Sequence, residues 1–425
     1  MGLMSYRCSS FAIFVLIILG IGNAYALELS IKDAETVAIQ NDPMIVQFQA
    51  RAQAYMEESV VDGQLPDPQL RIAAANIPLD SFSFTQEPMT QAIVGLRQGF
   101  PSTGLLDAKS EKKLLMAEAE RANAIERAML VLRNLRKAWM DVYFQTHAFF
   151  LIEEHESVFE QLVKVTQYQY RAGRGQQQDV VRAQLELSLL QDRRTSIVQN
   201  REKAIAELEK WTGASVKDHQ LSKLFPELPK LPTIEELGMR IEAHPSLAVK
   251  KAVLGFSRKD VAIEKAKFKP NWALDLSYGY RGGENVMADG TRNSRADFAS
   301  AVISMDLPFF TEKRQHKRLN ATGHRVNAAN DAVDSQRREL RRLLDASYAD
   351  WQRLGERLEF YKKEVLPQAA QYAETTRKSY QSRVSDFSEL VRARLRELES
   401  NMQTLRLRTD RAKAHYDLQY LAGEA

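Results

Sequence analysis

The run Ala38-Ile39-Gln40-Asn41-Asp42-Pro43-Met44-Ile45 is answered by Arg240-Ile241-Glu242-Ala243-His244-Pro245-Ser246-Leu247, with Pro43 and Pro245 at an offset of 202. Working outward, Pro68 is answered by Pro270 at the same offset, and Phe100-Pro101 by Leu307-Pro308 at 207. Tyr170 is answered by Tyr380, Val181-Arg182-Ala183 by Val391-Arg392-Ala393, and Trp211-Thr212-Gly213 by Leu421-Ala422-Gly423, all at 210. A drift of eight residues is what a few loop insertions produce. Two copies of one long unit mean a duplicated architecture, and units this long exclude a solenoid of short repeats.

Each copy contains long helices. Leu114, Ala117, Arg121, Ala124, Ala128, Val131, Leu135, Ala138 and Val142 keep a 3, 4 spacing, and a second series runs from Val326 through Asn330, Val333, Leu340, Leu344 and Leu358 to Val365. A seven-residue period held this long indicates coiled-coil packing. No proline interrupts Leu105–Lys210, and Pro367 is the only one between Phe309 and Ala425. Each helical stretch breaks near its middle. Tyr170-Arg171-Ala172-Gly173-Arg174-Gly175 is a turn signal, and Tyr380-Gln381-Ser382-Arg383-Val384-Ser385 is a weaker one at the matching place. Both read as tips of helical hairpins, with a plain solvated connection as the alternative.

Ahead of each hairpin lies a β-like stretch. Trp272, Leu274, Leu276, Tyr278 and Tyr280 alternate with Ala273, Asp275, Ser277, Gly279 and Arg281, and a second alternation runs from Ala299 to Leu307. Fainter versions occupy Gln69–Ala74 and Ala92–Phe100. Apolar-out, polar-in alternation over about ten residues is the signature of a transmembrane β-strand; a soluble half-buried sheet is the alternative. The links 77–89 and 282–295 would be outer loops. Four strands cannot close a barrel, and lipid does not tolerate open edges, so membranous strands require several chains to share one barrel.

The remaining features bound the class. Arg7, the apolar run Phe11–Ile21 and Ala24-Tyr25-Ala26 predict a signal peptide over residues 1–26, cleaved after Ala26. Cys8, the only cysteine, precedes the apolar run, so neither a disulfide nor a lipid anchor is expected in the mature chain. With 59 basic against 55 acidic residues, the net charge of +4 does not argue for nucleic acid. His147 and His155, like His316 and His324, are eight apart, and no metal-ligand spacing follows. There is no phosphate-binding glycine loop and no nucleophile–base constellation, so no enzyme activity, metal or cofactor is expected.

Taken in order, several motifs resemble the TolC family of outer-membrane efflux proteins. They are the two-fold repeat, Asn41-Asp42-Pro43, the strand–loop–strand insertions, Leu307-Pro308-Phe309-Phe310, Tyr170-Arg171-Ala172-Gly173 and Asp179-Val180-Val181-Arg182-Ala183. The resemblance implies a mainly α protein with a transmembrane β part. Long coiled-coil helices form a periplasmic α-barrel, and four strands per chain contribute to a twelve-stranded β-barrel in a homotrimer. The first repeat spans 27–213, with strands at about 67–100 and a hairpin at about 105–211. An equatorial linker spans 214–233. The second repeat spans 234–425, with strands at about 270–307 and a hairpin at about 312–421.

The resemblance also implies roles. The protein would sit in the bacterial outer membrane and reach into the periplasm, against a periplasmic adaptor and an inner-membrane pump of the resistance-nodulation-division type. Asp179 and Glu389, one after each tip, match positions where the family closes its periplasmic end with carboxylates. Arg182 and Arg392 stand where a second carboxylate is often found, which suggests a lock by Asp179–Arg392 or Glu389–Arg182 pairs between subunits. Arg171, Gly173, Arg174, Gly175, Ser382 and Arg383 would form adaptor-contacting tips. Asp275, Ser277 and Arg281 would face the barrel lumen. Ala75-Asn76-Ile77-Pro78 and Phe84–Thr90 look similar to channels that accompany heavy-metal pumps, which favours metal cations as cargo. A multidrug or type I secretion exit channel, and a soluble coiled-coil adaptor, are the alternatives.

Overall fold

The computed structural model describes residues 29–216 and 224–423. The expected signal peptide, its cleavage site and Cys8 lie outside them. The chain opens with α1 (Ile31–Asn41), whose N-cap Ser30 and third residue Asp33 form a reciprocal capping box. Asp42 then caps α2 (Pro43–Asp62), accepting from the Met44 and Ile45 amides at 3.0 Å each, with Pro43 at the first helical position, where a missing N–H costs nothing. Strands β1 (Gln69–Ala75) and β2 (Gln91–Phe100) follow, then α3 (Leu105–Arg171) and α4 (Gln177–Thr212). At 1.5 Å per residue α3 is about 100 Å long.

The second repeat retraces this path. A Thr233–Glu236 capping box opens α5 (Ile234–Arg240), and a short 3-10 turn leads to His244, which caps α6 (Pro245–Ala266) as Asp42 caps α2. Strand β3 (Trp272–Tyr280) and strand β6 (Phe298–Met305) flank a small hairpin, β4 (Glu284–Val286) and β5 (Arg292–Ser294), in what sequence reads as a plain loop. Helix α7 (Gln315–Phe360) passes through one π-helical turn, Tyr361–Val365, into α8 (Leu366–Gln381); α9 (Phe387–Leu421) returns. The periodicity predicts one unbroken helix here. Pro367 has no N–H to give the Lys363 carbonyl and its ring crowds that carbonyl, so the helix widens just before it.

The four long strands form one antiparallel sheet in the order β1-β2-β3-β6. Its register decides which residues share a face. Leu70 pairs with Leu96, Leu96 with Leu276 and Leu276 with Ala301; Gln69 pairs with Arg97, Arg97 with Asp275 and Asp275 with Val302. All four apolar rows therefore stand on one face. On that face Leu70, Ile72, Val94, Leu276 and Ile303 are at least half exposed. Phe100 and Trp272 stack at 4.1 Å at its helix-proximal end, and Tyr280 stands at the other. Eight residues at about 3.3 Å separate Trp272 from Tyr280, close to the height of the apolar band on a membrane barrel. Among the described residues neither sheet edge, β1 or β6, has a strand partner.

Below the sheet the helices pack as a bundle. Helices α2 and α6 lie along the upper part of α3, and α6 also packs on α7; the α3–α4 and α8–α9 hairpins form the lower part. One core sits at mid-height, where Val131, Leu135, Trp139 and Met140 of α3 meet Leu208 of α4, Ala412 and Tyr416 of α9 and α1. A second joins Leu237, Ile241 and Leu247 to Leu340, Leu344 and Leu418, and a third joins Ile152 and Phe159 to Leu190, Phe387 and Leu398 towards the tips. Each fully buried leucine or phenylalanine contributes roughly 1.5–3 kcal/mol. The Pro-punctuated linker is no loose tether. Phe225 and Leu228 pack on the first core, and Phe225 meets Tyr143 edge-on at 5.3 Å. The heptad positions Leu114 and Asn330, by contrast, are exposed, while Val131, Leu135, Val333 and Leu340 are buried as the spacing predicts.

Candidate functional site

The two hairpin tips are the same turn built from different residues. In the first, the Gly173 amide donates to the Tyr170 carbonyl at 2.9 Å and the Arg174 amide to Gln169 at 2.8 Å. In the second, the Arg383 amide donates to Tyr380 at 3.0 Å and the Val384 amide to Ser379 at 2.8 Å. Gly173 has φ +70° and Arg383 has φ +60°. Gly175 serves a close approach, since a Cβ there would lie 3.1 Å from Gln169 Cβ. Arg171, Arg174, Ser382 and Arg383 all stand exposed at these turns.

The residues beyond each tip contact the other hairpin. The Tyr380 hydroxyl donates to Gln169 Oε1 at 2.9 Å, and Arg182 Nη1 donates to Ser388 Oγ at 2.5 Å. Burial pushes the Tyr380 phenol above its ordinary range, and the nearby Asp179 carboxylate pushes it further. Glu389 is held within its own hairpin. It accepts from the Tyr372 hydroxyl and from Arg392 Nη2 at 2.6 Å, and its amide is capped by Asp386 Oδ1 at 2.8 Å. Neither Asp179–Arg392 nor Glu389–Arg182 forms an ion pair within the chain, among the described residues. Arg392 is taken by Glu389 one turn earlier on the same helix, a geometry that any i, i+3 pair offers. Tyr372, Gln169 and Ser388 carry no motif in the sequence. Tyr380 does stand out, as the repeat mate of Tyr170.

On the polar face of the sheet, Arg97 and Asp275 are directly opposed on β2 and β3 and approach to 3.6 Å. Ser277, Ser300 and Ser304 share that face. Arg281 continues that face past the ladder, over the Phe298 ring. It lies one residue beyond β3 and serves the outer loops, donating through Nε to the Ala296 carbonyl at 2.7 Å and through Nη1 to Pro88 at 3.1 Å, with its guanidinium 4.0 Å from the Phe298 ring. Arg295 does the same on a larger scale. Its Nη1 donates to the carbonyls of Thr85, Glu87 and Gly282 at 3.0–3.1 Å. Two arginines of the second repeat thus clamp the outer loop of the first.

No group of three or more potential metal ligands occurs among the described residues, and no described helix is long and apolar enough to cross a membrane. Among the described residues the sheet presents an apolar face whose side chains are largely exposed.

Solved outer-membrane channels share this fold. Residues 238–424, essentially the second repeat, match the family described as outer membrane efflux protein. The outer-membrane channel OprN superposes with a TM-score of 0.76 at 15% identity, over 93% of this chain and 90% of OprN. VceC of Vibrio cholerae gives 0.76 at 14% identity, over 93% and 96%. CusC gives 0.74 at 14% identity, over 99% of both chains. In sequence, the chain is similar to the alkaline protease secretion protein AprF of Pseudomonas aeruginosa, with 23% identity over 181 residues. That stretch is 41% of this chain and spans only 37% of AprF.

Proposed function

We propose that this chain is one protomer of a homotrimeric outer-membrane exit duct, passively carrying cargo from an inner-membrane pump, through a periplasmic adaptor, to the exterior. The observation that carries the reading is the sheet. Its four apolar rows share one face, aromatic residues flank that face at both ends, and among the described residues its two edges lack strand partners. Such a sheet is tolerated in lipid only when copies close it into a barrel. Three copies of four strands reach the size of known barrels. The helices hanging from it would then continue the duct into the periplasm. Asp179 and Glu389 would ring the narrow end, and the six tip residues would meet the adaptor.

Two cargo classes have support. The 75–90 segment favours metal cations, and the likeness to AprF favours a type I secretion role. Growth of a strain lacking this chain separates them, with the plasmid-borne gene as control. Sensitivity confined to copper, silver, zinc, cobalt or cadmium makes it the duct of a metal pump, and sensitivity to dyes and antibiotics makes it a drug duct. Loss of a secreted protein with no change in sensitivity makes it a secretion duct. The architecture itself is tested by extraction. An SDS-resistant oligomer released from membranes only by detergent supports the channel; release by buffer alone sinks it in favour of a soluble adaptor.

A further inference from the structure

A cavity of about 140 Å³ lies at mid-height, between the linker, the π-helical turn and α9. Among the described residues its wall includes Phe225 and Leu358, three cations (Lys362, Arg408 and Arg411) and no carboxylate. The two arginines are held in place. The Arg408 guanidinium lies 3.9 Å from the Phe225 ring centre, and that of Arg411 lies 5.1 Å from the Trp351 ring centre. Arg411 also occupies a slot that only glycine leaves open, since a Cβ on Gly355 would stand 2.9 Å from its Nε. Yet among the described residues the buried Nε of Arg411 has no hydrogen-bond acceptor, and Lys362 pairs with Glu359 at 3.4 Å.

Two fixed guanidiniums beside a lysine around a partly enclosed space, one of them with an orphaned buried donor, are an arrangement that an anion would stabilise. Guanidinium groups offer forked donors that match oxygen pairs. At about 30 Å³ per water in the liquid, the cavity has room for four or five heavy atoms. We propose that this equatorial cavity binds a small oxyanion, of the size of sulfate or phosphate, between Arg408, Arg411 and Lys362. The ion would tie the linker to α9 where the two repeats join. The π-helical turn contributes directly, because it carries Lys362.

The test uses the full-length protein in detergent. Sodium sulfate is titrated calorimetrically at constant ionic strength, and crystals are soaked in selenate for anomalous diffraction. The expected result is one saturable site per chain and an anomalous peak within hydrogen-bond reach of Arg411. Arg411→Gln should weaken sulfate binding at least tenfold. Lys362 is exposed, so Lys362→Gln should weaken it several-fold while leaving the melting temperature without sulfate unchanged. Absence of saturable binding together with no selenium peak overturns the proposal. So does a cavity filled only by water, or by a side-chain carboxylate of a neighbouring copy.

Discussion

Gly173 and Arg383 occupy the same place in the two hairpin tips, each in the left-handed region, at φ +70° and +60°. Glycine adopts that conformation without cost, whereas an L side chain costs roughly 1–2 kcal/mol there. The residues that follow are traded the other way. Asp386 caps α9 through the Glu389 amide, while its repeat mate Gln176 makes no side-chain cap to α4. One tip has the turn residue without the cap, and the other has the cap without the turn residue. Arg383→Gly should therefore stabilise the second tip by about 1 kcal/mol, and Gln176→Asp the first by a similar amount. Slowed amide hydrogen exchange at 168–180 and 378–390 is the readout. Unchanged exchange in both variants would show that the tips are held by contacts outside the turn.

His244 should make the fold sensitive to acid. Its Nδ1 accepts from the Ser246 amide at 3.2 Å, so the other nitrogen, Nε2, carries the proton and donates to the Tyr420 carbonyl at 3.1 Å. Burial pushes its pKa below the ordinary histidine value. His415 is pushed down to about 4 by burial, then by the Arg136 and Arg411 guanidiniums. For a base whose folded pKa is depressed, stability is complete above the unfolded value near 6.5 and is lost as pH falls below it. The melting temperature should thus fall between pH 6.5 and pH 4. His244→Asn keeps a capping side chain but removes one titrating group, so its decline should be shallower. A decline as steep as the wild type's would exonerate His244.

Arg295 predicts a stiff 76–90 link. Its three carbonyl acceptors lie in both outer links, 76–90 and 281–297. Hydrogen bonds from a charged donor contribute about 1.5–3 kcal/mol each at most, and those on exposed loops contribute less. Arg295→Ala should raise protease cleavage and hydrogen exchange within 78–90 several-fold while leaving the helical bundle unchanged. Equal protection of that loop in both proteins would mean that Arg281 suffices.

The two-fold repeat, the dyad strands and the long helices were legible, because alternation, turn residues and prolines act locally. What escaped the sequence depends on distance. The π-helical turn follows from Pro367, yet nothing local distinguishes a kink, a break and a widened turn. Arg281 obeys the strand alternation but falls one residue past the last ladder pair, where loop carbonyls capture it. The spacing of the Leu114 and Asn330 heptads gives a period without saying whether another helix of the same chain covers that height. Arg182 and Arg392 showed that charge follows each tip but not whom it meets, since Ser388 is brought to Arg182 by how two hairpins lie together, while Arg392 is taken by Glu389 on its own helix.

The contacts of Glu389 lead to the last prediction. If Asp179 and Glu389 ring a closed periplasmic end, their charge is presented according to their partners. Glu389 is paired with Arg392 and oriented by Tyr372, while Asp179 carries no such pair among the described residues and acts electrostatically on Tyr380. Arg392→Ala should leave the ring more negative, raising cation selectivity in planar bilayers. Tyr372→Phe frees the Glu389 side chain without changing charge, so it should alter conductance more than selectivity. Asp179→Ala with Glu389→Ala should lower cation selectivity and remove the effect of Arg392→Ala. Arg182→Ala breaks the contact with Ser388 that joins the two hairpins, and it should raise the open-state conductance. Selectivity and conductance unchanged across all four would place the constriction elsewhere in the duct.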